Sequence, residues 1–184
     1  TQMGGEGTTW CAQAPFTDSV AVARRMPIRA LLRAGAVALR DLAAARRGRP
    51  PVYLPAVGPP GTVAVLTEPD AQPGFMAVVG PNSLWRNAIA ARIVLKVLSY
   101  RPFRFASLLA MPALFCVCDA DTTTPPEPSI RAAREAPRGE LRRYPYGHFD
   151  IYHDPQVKAD QVEFLSRVLG APDPPPPTAT RQPS

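Results

Sequence analysis

Lysine is nearly absent from this chain of 184 residues: of its 21 basic residues only Lys96 and Lys158 are lysines. The arginines are scattered or sit in short pairs such as Arg24-Arg25, Arg46-Arg47 and Arg142-Arg143. A net charge of +6 would admit a nucleic-acid partner, but a surface that tracks phosphates clusters its cations and interleaves them with aromatics. The dispersed pattern reads instead as solvated faces, with no nucleic acid as partner. Cysteine is sparse too. Cys11, Cys116 and Cys118 are an odd number, and neither a C-x-x-C pair nor neighbouring histidines supply a metal set. Because Cys116 and Cys118 alternate within an apolar run, they are expected to be buried, reduced thiols. Long hydrophobic runs are also missing. The longest, Phe105 to Cys118, is broken by Ser107 and Pro112 and is too short to cross a bilayer, and no charged-then-apolar leader opens the sequence. The expectation is a soluble, cytoplasmic protein without membrane or metal.

A hydrophobic content of 46% suffices for one packed domain. Thr8 to Ala14 reads as a short buried strand that stops at Pro15, with Phe16-Thr17-Asp18 as a loop and helix cap. From Pro27 to Arg47 the apolar residues Ile28, Leu31, Leu32, Gly35, Leu39 and Leu42 recur at three and four, with arginines largely between them. This predicts an amphipathic helix with Pro at its first turn and Gly48 just past its end. Between Pro50 and Pro81 the short runs Val63 to Leu66 and Phe75 to Val79, punctuated by Pro and Gly, predict a small hairpin or irregular insertion. Trp85, Ile89, Ile93 and Val97, spaced at four, predict a helix from Trp85 to Ser99.

Ala113 to Cys118 is a continuous apolar run of strand length, the kind found in a parallel sheet covered on both faces. Ser129 to Ala136 reads as a helix, Glu140 to Tyr144 as a strand, and Val157 to Leu169 as a closing helix. Strand, helix, strand, helix implies α/β layering. Beyond Gly170, a proline-rich tail is too poor in apolar residues to pack and is expected to be disordered.

In such a sheet functional groups sit in the loops after the strands. Asp121 follows the strand ending at Cys118, and His148 follows the strand ending at Tyr144. The interval between them is about what one strand-helix-strand unit requires, so parallel strands would bring both to one edge. An Asp that accepts the Nδ1 proton of such a His fixes its tautomer and leaves Nε2 free to take a proton from a hydroxyl nucleophile. Gly147 is expected to let the histidine loop turn tightly. A lone Asp after a strand is more often a cap, and a lone His an ordinary packing residue. The two together, at matching strand ends, favour function.

The stretch Pro112-Ala113-Leu114-Phe115-Cys116-Val117-Cys118-Asp119-Ala120-Asp121-Thr122-Thr123-Thr124-Pro125-Pro126 resembles the acid-bearing strand and loop of the α/β-hydrolase family. Tyr144-Pro145-Tyr146-Gly147-His148-Phe149-Asp150 resembles its histidine loop, and Gln13 to Asp18 the strand end that follows the nucleophile helix. In that family Pro typically follows the acid by four residues, which selects Asp121 over Asp119. The resemblance implies an α/β fold, a parallel sheet with helices on both faces, of which this chain carries the C-terminal portion. Residues 1–18 would supply a core strand and loop, 19–100 an inserted, mainly helical lid, 101–170 the core with the acid and histidine loops, and 171–184 the tail. Phe16, Trp85 and Phe149 would line the substrate pocket. No cofactor is implied.

What the family pattern requires and this sequence lacks is the nucleophile elbow, G-x-S-x-G on a strained strand-to-helix turn. Ser83 has no flanking glycines and reads as a helix cap. Gln2, in a stretch faintly like the end of an elbow, cannot attack. The leading expectation is therefore a fragment of a serine hydrolase for a small acyl or peptide-like substrate, holding the Asp and His of a triad and inactive alone. The alternative is a non-catalytic pseudoenzyme or remnant that acts as a binding module. A half sheet would also leave an exposed edge, which implies self-association.

Overall fold

A computed structural model of the chain describes residues 8–170. Gln2 and the proline-rich tail lie outside the described residues. In chain order the elements are β1 (Trp10–Gln13), α1 (Ser19–Arg25), α2 (Ile28–Arg46), β2 (Tyr53–Leu54), α3 (Ala71–Val79), β3 (Ile89–Ala90), α4 (Ile93–Val97), a 3-10 helix (Pro102–Leu108), β4 (Ala113–Cys118), α5 (Pro126–Glu135), β5 (Gly139–Tyr144), a 3-10 turn (Asp150–Tyr152) and α6 (Pro155–Leu169).

The main sheet has the order β1-β4-β5, with both pairings parallel. Its central strand β4 is buried along its whole length because alternate side chains enter two separate cores. Ala113, Phe115 and Val117 pack with Phe103 and Ala106 of the 3-10 helix and Ala132, Ala133 and Ala136 at the end of α5. Leu114, Cys116 and Cys118 face Ile151, Val157 and Phe164. An apolar run without alternation is what a strand covered on both faces requires, and the expected α/β layering is observed here. β1 is less buried than expected. No described strand pairs with its outer edge, and Trp10 stays 39% exposed even though its ring meets Phe115 edge-on at 5.0 Å. At the end of β1 the backbone of Ala14 turns through a left-handed conformation, φ 41°, which a side chain disfavours.

Three expectations for residues 27–99 are corrected by long-range contacts. The helix α2 is present, capped by Gly48 at φ 64°, but its leucine stripe is not the buried face. Ala34, Ala38 and Asp41 are buried, while Ile28, Leu32 and Leu39 are exposed. Small side chains let α4 approach, and the Asp41 carboxylate is drawn inward by donors outside the helix: Oδ1 accepts from Val52 N at 2.8 Å, and Oδ2 from Arg92 N at 2.8 Å and Arg92 Nε at 3.0 Å. Phe75 to Val79 belongs to helix α3, not to a hairpin, and Val63 to Leu66 keeps a single bridge to Val57. The antiparallel pair forms instead between β2 and β3. Residues 85–92 are consequently not helical. Ala91 N bonds to Val52 O, and the Asn87 amide bonds both N and O of Val57, so these residues are held by distant backbone. Ser83 Oγ accepts from Trp85 N, capping a turn and not a helix.

Burial alone would raise the Asp41 carboxyl, but the N–H groups of Arg92 and Val52 and the Arg92 guanidinium more than offset it and hold it below the ordinary value. A carboxylate lowered in the folded state contributes stability above about pH 4, and that contribution is lost as pH falls through the lowered value. Asp41→Asn is therefore expected to lower the melting temperature by several degrees at neutral pH, and the gap from the wild type should narrow on acidification. Thermal melts across pH check both; a gap independent of pH would place the effect elsewhere.

Candidate functional site

β4 and β5 pair in register, Cys118 opposite Tyr144, so the loops that follow them leave the sheet at one edge. Asp119 N donates to Tyr144 O at 2.8 Å and Ala120 N to Tyr146 O at 3.1 Å, which carries the pairing past the strand ends. Asp121 then lies buried, with only 4% exposure, and all its acceptor capacity is engaged. Oδ1 accepts from Thr123 N at 2.8 Å and Thr124 N at 2.7 Å, while Oδ2 accepts from Thr124 Oγ1 at 2.7 Å and His148 Nδ1 at 2.7 Å. A carboxylate can only accept, so the Nδ1 proton points at Asp121 and Nε2 carries the imidazole lone pair. No described residue occupies Nε2. Asp119 is exposed and paired with Arg143 Nε at 2.8 Å, out of this arrangement.

The histidine loop is braced from two sides. Tyr146 donates its hydroxyl to Asp154 Oδ2 at 2.7 Å, and the other oxygen of Asp154 caps α6 at Val157 N, 3.0 Å. Gly147 N donates to Asp150 Oδ2 at 3.1 Å. Gly147 has no positive φ; a Cβ there would come within 3.2 Å of that carboxylate, so close approach is what its missing side chain permits. Phe149 meets the His148 ring edge-on at 4.8 Å, Phe75 meets Phe149 at 6.3 Å, and Trp85 meets Phe75 at 4.8 Å. Trp85 and Phe149, expected in a pocket wall, thus stand in an aromatic stack beside His148.

Phe16 does line a cavity. It has a volume of about 600 Å³ and is walled by Val22 of α1, Leu31 of α2, Leu66, and Ile93 and Val97 of α4, with Thr123 and Thr124 also in its lining. Thr124 Oγ1 is 3.2 Å from His148 Nδ1, so a single side chain separates the apolar space from the imidazole. A smaller cavity of about 270 Å³ on the other side of Thr123 is lined by Arg25, Thr67, Glu68 and Thr122. Sequence reasoning missed the threonines, whose only signal was their place between Asp121 and Pro125. It also missed Arg101, which clamps the helix-capping Asp18 at 2.8 and 3.0 Å and holds its carboxyl below the ordinary range.

Among the described residues, neither a group of three or more metal-ligating side chains nor a helix long and apolar enough to cross a membrane is present. Cys116 and Cys118 supply no thiolate near neutrality. Burial, reinforced by Asp121, Asp150 and Asp119, pushes Cys118 up to about 12, and a hydrogen bond with Cys11 together with burial raises Cys116.

Gly74 of α3 lies flush against Phe149, whose ring a Cβ at that position would strike. Gly74→Ala is therefore expected to displace Phe149 and loosen the His148 loop, at a cost of roughly 1–3 kcal/mol as for other overpacked sites. Hydrogen exchange over residues 147–153 should quicken relative to the rest of the sheet. Unchanged exchange there would show that α3 does not brace the loop.

A scan against protein-family models finds no match. The chain is 36% identical over 161 residues to the quorum-quenching protein AidA of Acinetobacter baumannii (strain MDR-ZJ06), covering 86% of this chain and 53% of that protein. Its structure is similar to that of the α/β hydrolase GrgF from Penicillium sp. sh18, with a TM-score of 0.65 at 22% identity over 88% of this chain and 56% of GrgF. It is also similar to DcsB, solved in complex with its substrate analogue, with a TM-score of 0.61 at 19% identity over 90% of this chain and 57% of DcsB. The chain spans about half the length of each of these relatives. Strand order, helical layers on both faces of the sheet and the likeness to GrgF and DcsB agree, and the chain has the fold of part of an α/β hydrolase.

Proposed function

We propose that this chain contributes the acid and the base of a Ser-His-Asp hydrolase that cleaves ester, amide or related acyl bonds. The observation that carries the reading is the 2.7 Å contact between His148 Nδ1 and a fully engaged, buried Asp121. In this mechanism His148 Nε2 takes the proton of a serine hydroxyl as the oxygen attacks the acyl carbon, then returns it to the leaving group. Water repeats the cycle and releases the acid. Asp121 holds the ring in the required tautomer and stabilises the imidazolium formed in each half-reaction.

The serine is not among the described residues in contact with His148. Ser129 Oγ is bonded to Pro15 O and Thr17, Ser19 Oγ to Leu98 O, and Ser99 Oγ to Lys96 O. With no G-x-S-x-G in the sequence, the nucleophile and the oxyanion donors must come from outside this chain, and the chain alone is inactive. Residues 19–100 would serve as the lid, and the large cavity would take the apolar part of a small acyl substrate. The name of the AidA relative adds a quorum signal as a candidate class. The open outer edge of β1 is where further strands, or a second copy, would pair. The missing serine also favours a second reading, a non-catalytic binding module that keeps inherited geometry.

The chain alone is expected to show no turnover of medium-chain p-nitrophenyl esters above buffer and no covalent labelling by a fluorophosphonate. Turnover that His148→Ala abolishes would overturn the absence of a nucleophile. When a segment bearing the elbow is supplied in trans or by fusion, activity should appear, and Asp121→Asn should reduce kcat by about 10⁴ by favouring the wrong tautomer. Failure of every such combination would leave the binding-module reading.

A further inference from the structure

Arginines that look scattered in the sequence are gathered by α2. Ile28, Leu32 and Leu39 are 66%, 67% and 59% exposed, and at 3.6 residues per turn they fall within an arc of about 40°. Arg29, Arg33 and Arg40 each stand one position further along, so they form a second exposed stripe, rotated by about 100° from the first. None of the three is in an ion pair with a described residue. Between Ser19 and Tyr53 eight arginines meet a single acid, Asp41, and that carboxylate is buried and taken by Val52 and Arg92. The outer face of α2 is thus a strip of aliphatic side chains edged by positive charge that its own segment does not balance, on a helix of 19 residues, about 28 Å long.

We propose that this outer face of α2 docks on anionic lipid bilayers. Ile28, Leu32 and Leu39 enter the boundary between headgroups and acyl chains, while Arg29, Arg33 and Arg40 keep their guanidinium groups among lipid phosphates and carboxylates. An exposed apolar stripe on a helix that already buries its opposite face marks a surface that meets a partner. The charge decides which. A second copy meeting it through the same face would add three more arginines and no acid. Nucleic acid would pair with the arginines but offers nothing to three aliphatic side chains, and α2 carries no aromatic residue on which a base could stack. An anionic bilayer satisfies both stripes. No described helix is long and apolar enough to cross a membrane, so the contact is that of a helix lying in the interface plane. On the inner side of α2, Leu31 and Ala34 line the large cavity, which places the helix between the bilayer and that space. The inference goes beyond the hydrolase reading, and no step in it uses Asp121 or His148.

The test is vesicle sedimentation of the chain itself. It should bind vesicles of equal parts phosphatidylcholine and phosphatidylserine and not vesicles of phosphatidylcholine alone, and added salt should weaken the binding. Arg29→Gln, Arg33→Gln and Arg40→Gln together should weaken it about a hundredfold, at about fivefold per arginine. Leu32→Gln with Leu39→Gln should weaken it at least about tenfold. Both variants should melt with the wild type, because the altered side chains are exposed. Leu32→Trp should gain fluorescence quenching by lipids brominated on their acyl chains, which a merely electrostatic contact would not give. Absence of binding to the anionic vesicles, equal binding to both compositions, binding unaltered by either set of substitutions, or no gain in quenching would each overturn the proposal. So would a lipid-free dimer that the leucine substitutions disperse, which would assign the face to a second copy, or duplex DNA bound more tightly than the anionic vesicles, which would assign it to nucleic acid.

Discussion

The candidate site depends first on the parallel pairing of β4 with β5. Parallel strands cannot be joined by a tight turn, so the chain must cross over through α5 before β5 begins, and that crossover puts both following loops at the same edge of the sheet. The pairing itself is secured by burial on both faces of β4, where side chains from the 3-10 helix, α5 and α6 exclude water from six consecutive residues. Burial of this kind contributes about 25 cal/mol per Å² of apolar surface, and it fixes register because each side chain has one core to enter. Two further backbone bonds, from Asp119 to Tyr144 and from Ala120 to Tyr146, carry that register into the loops and deliver Asp121 to His148.

Buried carboxylates do the remaining cross-bracing, and each joins segments distant in sequence. Asp18 couples the start of α1 to Arg101, Asp41 couples α2 to Val52 and Arg92, and Asp121 couples its own loop to His148. In every case the acceptor is met by several donors, the condition under which a buried charge is tolerated. The hydroxyl of Thr123 stands out against that thoroughness, since the loop that satisfies Asp121 so completely leaves it unmatched beside an apolar cavity.

The segment between α1 and the 3-10 helix is joined to this core through packing of another kind. Phe75, Trp85 and Phe149 make a short aromatic stack that reaches from α3 to the histidine ring, and Gly74 allows the approach. The cavity is built from α1, α2 and α4, with Thr123 and Thr124 of the Asp121 loop in its wall.

How much of this was legible in the sequence follows from the range of the forces involved. The buried run Ala113 to Cys118, the helices flanking it and the Asp121 and His148 loops were readable because a strand covered on both faces leaves a local signature and its following loop has a fixed direction. The 27–99 region was not. Its leucine period suggested one face of α2, yet Asp41, a charged residue that any local rule turns outward, was drawn inside by donors brought from Val52 and Arg92. Trp85 to Ser99 was misread for the same reason, since Asn87 and Ala91 are held by distant backbone, whereas Phe75 to Val79 is a short apolar run whose period does not by itself separate helix from strand and which forms the locally bonded helix α3. The sequence by itself determined the α/β layering and the loops that carry Asp121 and His148; only the tertiary structure decided the cavity, the aromatic stack and the unmatched Thr123, because these are made by residues far apart in the chain that meet only after the sheet has formed.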